Sequence, residues 1–291
     1  MTAPLPYFAY GSNLHAADWA RFCTQRGYRH DGLVRQHAAW LPDHRPIYHY
    51  HSRSRNGGAL DVTPTIGQAT PGMLFRVDTD GWKALDAKEG ACYARQTVTV
   101  LTEDGERHAA LTYTVHPKHR RPGFVAPTAV YAKIVESGLR DFGLPTSVHA
   151  RAAADERPAP AVRHLFVYGL LQSTQSLGNA LDGIGHRQPA RAPGRLFDLG
   201  AYPGWQPPST PDDWVHGELL ELTDPETALA EADAIEGFQG HDAEALYHRV
   251  LIRAVTANAG SALAWCYRYA RPLSSRPIGD GRWTAAATLG L

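Results

Sequence analysis

Apolar and polar residues along this chain fall into short runs, and the runs form two series in the same order. Tyr7-Phe8-Ala9-Tyr10 is an apolar stretch that breaks at Gly11-Ser12-Asn13-Leu14, and Leu165-Phe166-Val167-Tyr168 breaks at Gly169-Leu170-Leu171. Each predicts a strand ending in a glycine-containing loop. Gly72-Met-Leu-Phe-Arg-Val-Asp78 and Gly217-Glu-Leu-Leu-Glu-Leu-Thr223 predict a second pair of short strands with glycine at the start. Helices follow both. Asp78 and Thr79 offer caps to a helix carrying Trp82 and Leu85, and Thr223 and Asp224 precede Pro225, which suits a first helical turn. The helices end alike, in Asp86-Ala-Lys-Glu89-Gly90 and Asp233-Ala-Ile-Glu236-Gly237, so Asp and Glu three residues apart share a face and Gly stops the helix. Tyr93-Ala-Arg95 and Tyr247-His-Arg249 then open β-rich runs, with Leu111-Thr-Tyr113 and Trp265-Cys-Tyr267 beyond them.

Five matches in one order predict an internal duplication. The stretch from Thr146 to Val162, with three alanines in a row, Asp-Glu-Arg-Pro and Pro-Ala-Pro, has no apolar period and reads as a linker. The expected map is a domain over residues 1–147, a linker over 148–159 and a second domain over 160–291. The first half gains an extra helix from Pro127 through Ala132, Ile134 and Val135 to a stop near Gly143.

Composition narrows the function. Hydrophobic residues make up 43% and charged residues 20%, which predicts packed domains. Net charge is zero, from 29 basic and 29 acidic residues, and the one basic cluster, His116 to Arg121, is short. Nucleic acid is therefore not an expected partner. Cys23, Cys92 and Cys266 have no paired spacing, which argues against a zinc or redox motif and for a reducing compartment. Neither a signal peptide nor a run of ~18 apolar residues is present, so no membrane span is expected and the cytoplasm is the expected location. His44, His49 and His51 lack a third ligand at a recognisable spacing and read as a histidine-rich sheet surface. Gly183-Ile-Gly185 and Gly279-Asp-Gly281 are incomplete as phosphate loops. No cofactor is expected.

Tyr7-Phe8-Ala9-Tyr10-Gly11-Ser12-Asn13-Leu14 resembles the signature of the γ-glutamylcyclotransferase-like superfamily, and Leu85-Asp86-Ala-Lys-Glu89-Gly90 resembles the segment that carries its catalytic glutamate. The resemblance implies an α+β fold: two tandem γ-glutamylcyclotransferase-like domains, each a closed barrel-like mixed sheet with flanking helices. The Val125-Ala-Pro-Thr segment leading to Gly143-Leu-Pro145 is similar to the tail of the branch acting on γ-glutamyl amino acids. The second half instead resembles the γ-glutamylamine branch, through Pro193 to Gly200, Tyr202-Pro203, Val215-His-Gly-Glu218 and Asp233-Ala-Ile-Glu236. That branch usually has Thr and Lys where this chain has Leu170 and Gln172.

What the resemblance implies chemically is release of 5-oxoproline and a free amine from a small γ-glutamyl amide. The α-amine attacks its own side-chain carbonyl, so no water, metal or cofactor is needed and orientation supplies much of the rate. One carboxyl of raised pKa can take the proton from the ammonium and return it to the leaving amine. Glu89 and Glu236 are the candidates. The loops Tyr10-Gly11-Ser12-Asn13-Leu14 and Tyr168-Gly169-Leu170-Leu171 would bind the substrate carboxylate or the oxyanion through their amides, and Tyr113 and Tyr267 would point hydroxyls into the pockets. Tyr93, Arg95, Tyr247 and Arg249 are accounted for by strand alternation. Two other readings stay open: a binding module without turnover, and a serine amidohydrolase acting through Ser12.

Overall fold

The computed structural model describes residues 4–157, 159–258, 260–273 and 276–284. The chain divides into two compact units, one of residues 1–100 and 108–161 and the other of residues 101–107 and 162–291. Among the described residues no helix is long and apolar enough to cross a membrane.

The first unit contains β1 (Tyr7–Ala9), α1 (Ala16–Arg26), β2 (Leu33–Ser52), β3 (Gly57–Val77), α2 (Thr79–Glu89), β4 (Tyr93–Leu101), β5 (Arg107–Val115), α3 (Ala129–Asp141) and α4 (Ser147–Ala153). Its sheet closes into a barrel in the order β1-β3-β2-β4-β5. The second unit contains β6 (His164–Val167), β7 (Ile184–Pro193), β8 (Arg195–Asp198), β9 (Pro203–Gln206), β10 (Trp214–Leu222), α5 (Pro225–Glu236), β11 (Tyr247–Thr256) and β12 (Ser261–Tyr269). Its barrel closes in the order β10-β6-β12-β11-β7, with β8 and β9 as a separate hairpin. Taken around the ring from β6, this is the strand order of the first barrel. The parallel contacts correspond too, Tyr7 with Leu111 and Leu165 with Trp265. The two α+β barrels implied by the resemblance are present.

The shortest strand is the most enclosed. All three residues of β1 are buried, and Phe8 and Ala9 are fully so. A strand covered on both faces cannot alternate, which is why its sequence is a continuous apolar run. Full burial of a side chain the size of Phe8 contributes roughly 1.5–3 kcal/mol. Around β1 the first core gathers Met73, Leu85, Val100 and Ala110, while the second gathers Phe166, Trp205, Leu219 and Cys266.

The helices that follow β3 and β10 form where their caps predict. Asp78 Oδ1 accepts from the Gly81 amide at 2.6 Å, and Asp224 Oδ1 accepts from the Thr227 amide at 3.3 Å. Ala84 and Leu85 on α2, and Ala228, Leu229 and Ala232 on α5, are buried against their barrels. Both helices stop at a glycine of positive φ, Gly90 at 62° and Gly237 at 67°. The C-terminal helix of the first half begins just after Thr128, whose hydroxyl accepts from Tyr131 N. Residues 147–153, which composition suggested were mostly linker, form a helix that buries Val148, His149 and Ala152, and His149 Nε2 lies 2.6 Å from the Tyr48 hydroxyl.

Of the three histidines read as a sheet surface, His44 and His51 are half-buried, whereas His49 is buried, with Nε2 2.6 Å from the buried Asp61 carboxylate. Among the described residues no group of three or more His, Cys, Asp or Glu is arranged to hold a metal, and the three cysteines are unpaired.

Gly72 and Gly217, paired by the sequence repeat, are both needed for strand approach. A Cβ on Gly72 would lie 2.4 Å from Ala9 O and 2.5 Å from the Phe8 ring, and one on Gly217 would lie 2.1 Å from Val167 O. Gly72→Ala and Gly217→Ala are each expected to destabilise their own barrel by about 1–3 kcal/mol through overpacking, read as a lowered urea midpoint. Midpoints unchanged in both variants would show that β1 and β6 do not pack this closely.

Candidate active sites

In each unit a strand end, a loop and a helix end meet around one cavity. In the first, β1 runs into the loop Tyr10-Gly11-Ser12-Asn13, and α2 brings up its last residue, Glu89. The Asn13 side-chain amide donates to Glu89 Oε1 and to the Tyr7 hydroxyl, both at 2.8 Å. These two bonds use both amide hydrogens. Asn13 Oδ1 is buried and has no partner among the described residues, so it is an acceptor without a donor. Tyr10, Gly11, Ser12, Asn13, Glu89 and Tyr113 all line one cavity of about 30 Å³. That is room for a water-sized group.

Two of the residues expected to bind ligand do something else. Leu14 does not line the cavity: its amide closes the turn onto Gly11 O at 3.0 Å, and its side chain is buried where α3 passes at Gly138. The amides at the open start of the turn are those of Gly11, Ser12 and Asn13. Tyr10 forms part of the wall, but its hydroxyl donates to Tyr113 O at 2.7 Å and ties the end of β1 to β5. Ser12 hydrogen-bonds the Tyr131 phenol.

Burial raises the Glu89 carboxyl above its ordinary value, opposed by Lys88, the Asn13 hydrogen bond and Arg55. The two cations are set by Asp18, a residue of α1 only 2% exposed. Arg55 donates to its two oxygens at 3.0 and 2.7 Å, and Lys88 Nζ lies 3.0 Å away. Burial pushes the Asp18 carboxyl up, but Arg55 and Lys88 outweigh it and hold the group well below the usual carboxylate range. Burial also pulls Lys88 down, against Asp18. These residues, with Ser12 and Glu89, line a cleft of about 470 Å³ beside the small cavity.

The second unit repeats the plan with different chemistry. Tyr168, Gly169, Leu170, Leu171, Glu236 and Tyr267 line a cavity of about 150 Å³, together with Leu177, Ile235 and Leu246. The loop is held by Gln172 N to Gly169 O and Leu177 N to Leu170 O, both at 3.0 Å. Tyr168 donates to Tyr267 O at 2.6 Å, as Tyr10 does to Tyr113 O. Counting from the Tyr-Gly pair, Leu171 stands where Asn13 is and Leu165 where Tyr7 is. Burial, and then the Asp233 charge, push the Glu236 carboxyl up to about 7.

Sequence reasoning missed a third feature common to both sites. Arg95 donates to both oxygens of Asp86, at 2.6 and 2.7 Å, and Tyr113 donates to Asp86 Oδ1 at 2.6 Å. In the second barrel Arg249, fully buried, donates to Asp233 Oδ2 at 2.7 Å and Tyr267 to Asp233 Oδ1 at 2.7 Å. The signal was in the repeat itself, because Asp, Tyr-x-Arg and the later Tyr recur together. Strand alternation explained each arginine alone and hid the set.

The family model for gamma-glutamyl cyclotransferase, AIG2-like proteins matches residues 7–131 and 165–285. No curated protein matches the chain. Among solved structures, one described as a gamma-glutamyl cyclotransferase is similar at 21% identity, covering 54% of this chain and 90% of its own, with a TM-score of 0.44. An uncharacterised human protein is similar at 23% identity over 54% of this chain and 88% of its own, TM-score 0.43. YkqA from Bacillus subtilis is similar at 13% identity over 92% of this chain and 84% of its own, TM-score 0.35.

Glu236 links the second site to stability. Its folded value of about 7 lies above the ordinary 4.5, so between these two pH values the folded state binds more protons than the unfolded one. The stabilisation from the neutral carboxyl is complete below 4.5 and lost as pH rises through about 7. Glu236→Gln removes this dependence. Its gain in urea midpoint over the parent is expected to grow from pH 4.5 to above 7 and then level off. A gain that stays constant across that range would mean that the carboxyl is not held neutral by burial.

Proposed function

We propose that this chain, which belongs to the gamma-glutamyl cyclotransferase, AIG2-like family through both of its halves, is an enzyme that converts small γ-glutamyl amides to 5-oxoproline and a free amine. The observation that carries the reading is a glutamate of raised pKa at a helix end, set against a Tyr-Gly loop, in both barrels. A carboxyl poised near neutrality can accept a proton and later return it.

Glu89 or Glu236, as the carboxylate, takes a proton from the substrate's α-ammonium. The freed amine attacks the side-chain amide carbon, closing a five-membered ring. The oxyanion formed is held by the loop amides, Gly11, Ser12 and Asn13 in one barrel and Gly169, Leu170 and Leu171 in the other. The protonated glutamate then gives its proton to the leaving nitrogen, the carbon–nitrogen bond breaks as the oxyanion collapses, the second proton of the ring nitrogen passes to the departing amine, which leaves as its ammonium, and the carboxylate is restored. In the first barrel the unpartnered Asn13 Oδ1 is a ready acceptor for an N–H of the bound substrate. Tyr7, Tyr113 and Tyr267 stay protonated, since burial raises all three phenols.

Ligand binding without turnover is the second reading, and it concerns the second barrel. There Leu171 replaces the amide that contacts the glutamate in the first, and the wall is largely apolar.

The test is incubation with a panel of γ-glutamyl amides in ¹⁸O-water, with 5-oxoproline and glutamate read by mass spectrometry. The expected product is unlabelled 5-oxoproline, because solvent oxygen never enters the carbonyl. Glu89→Gln and Glu236→Gln should each lower the kcat of their own site by roughly 10² to 10⁴, with modest change in KM. Labelled glutamate as the first product would transfer the chemistry to hydrolysis and Ser12. Parent rates in the double variant would remove both glutamates from the mechanism.

A further inference from the structure

The arginine–aspartate–tyrosine sets have no part in the proton transfers above, yet each places its tyrosine in a pocket wall. A phenol has one proton and an ionised carboxylate only accepts. Tyr113 commits its proton to Asp86 at 2.6 Å and Tyr267 commits its own to Asp233 at 2.7 Å. An arginine is paired with the same carboxylate, Arg95 with Asp86 and Arg249 with Asp233. What the tyrosine oxygen has left are lone pairs. Tyr267 lines the cavity and its hydroxyl feels the charge of Glu236. One cavity therefore has in its lining a glutamate carboxyl and a phenol oxygen that cannot donate, together with a loop whose amides only donate. A primary ammonium has donors for both acceptors.

We propose that Asp86 and Asp233 are positioning residues: by taking the phenol protons of Tyr113 and Tyr267, they turn each tyrosine oxygen into an acceptor for the substrate's α-ammonium. Two acceptors fix the nitrogen's direction before Glu89 or Glu236 removes its proton, and so aim the lone pair that attacks. The inference rests on the cyclotransferase reading. It is independent of the loop chemistry, since the same set occurs beside Ser12 and Asn13 in one barrel and beside Leu170 and Leu171 in the other. In the first barrel Arg95 also donates to the Tyr113 oxygen at 3.2 Å, taking one lone pair and leaving the other. The second barrel, with the larger cavity, is the one to test.

A purely structural role is the competing account, because the buried Arg249 needs a carboxylate whatever the pocket binds. Two ligands separate the accounts: a γ-glutamyl amide that the parent cleaves, and the matching glutaryl amide, which has hydrogen in place of the α-amine. Affinities are measured by calorimetry on the full chain carrying Glu89→Gln and Glu236→Gln, with and without Tyr267→Phe or Asp233→Asn. Tyr267→Phe is expected to weaken the γ-glutamyl amide about 10- to 100-fold, the range of a hydrogen bond to a charged group, and to leave the glutaryl amide unchanged. Asp233→Asn should act in the same direction. Equal loss for both ligands, or loss for neither, would overturn the inference. Should Asp233→Asn fail to fold, Tyr267→Phe, which keeps the Arg249 ion pair, still decides. Parent turnover with unselective variants removes this inference alone, whereas no turnover and no binding by the parent removes the cyclotransferase reading with it.

Discussion

A carboxylate at the C-terminal end of a helix is disfavoured as an anion twice, by the water it loses on burial and by the negative end of the helix dipole. Glu89 and Glu236 are the last residues of α2 and α5, and both are raised by burial above their ordinary value. Much of the surrounding structure serves to keep them there. Leu85 and Leu229 lock the helices to their barrels. Asp86 and Asp233, one turn earlier, tie the helix ends to the strands that carry Arg95, Tyr113, Arg249 and Tyr267. A positive-φ glycine then turns the chain away, so the glutamate meets the Tyr-Gly loop and not a continuing helix.

The two barrels meet this constraint differently. In the first, Asn13 donates to Glu89, and Lys88 and Arg55 stand near under the control of the buried Asp18. All three favour the anion and limit the effect of burial. In the second, leucines occupy the positions of Asn13 and Tyr7, and Asp233 adds negative charge, so Glu236 rises to about 7. One fold thus surrounds its two raised glutamates differently, with a small polar cavity in one barrel and a larger apolar one in the other.

The duplication, the strand ends, the helix caps and both glutamates were legible in the sequence, because each is written in residues close together: an apolar run before Gly11, Asp78 before a helix, Gly237 after one. The long β2–β3 hairpin was not. Pro42, Pro46, Pro64 and Pro71 interrupt its pattern, and the register shifts at Pro42/His44, beside Asp43 at φ 52°; a strand that bends at bulges loses the simple period that reveals it. The α4 helix was hidden by an alanine-rich composition without a clear apolar stripe, since its buried face rests on Val148, His149 and Ala152. Leu14 misled for the opposite reason. It sits in the motif, but a 3₁₀ turn uses its amide internally, which spacing alone does not reveal. The Asp18 network and the two tyrosine sets depend on contacts between distant residues and became visible only once the barrels were closed.

Burial raises one glutamate in each barrel above the ordinary carboxylate value. The most direct measurement is a ¹³C NMR titration of the glutamate carboxyl carbons in the full chain, with the two resonances assigned from Glu89→Gln and Glu236→Gln. The Glu236 carboxyl is expected to titrate near 7 and the Glu89 carboxyl above 4.5. Midpoints at or below 4.5 for both would contradict this, since neither residue could then serve as the poised proton carrier.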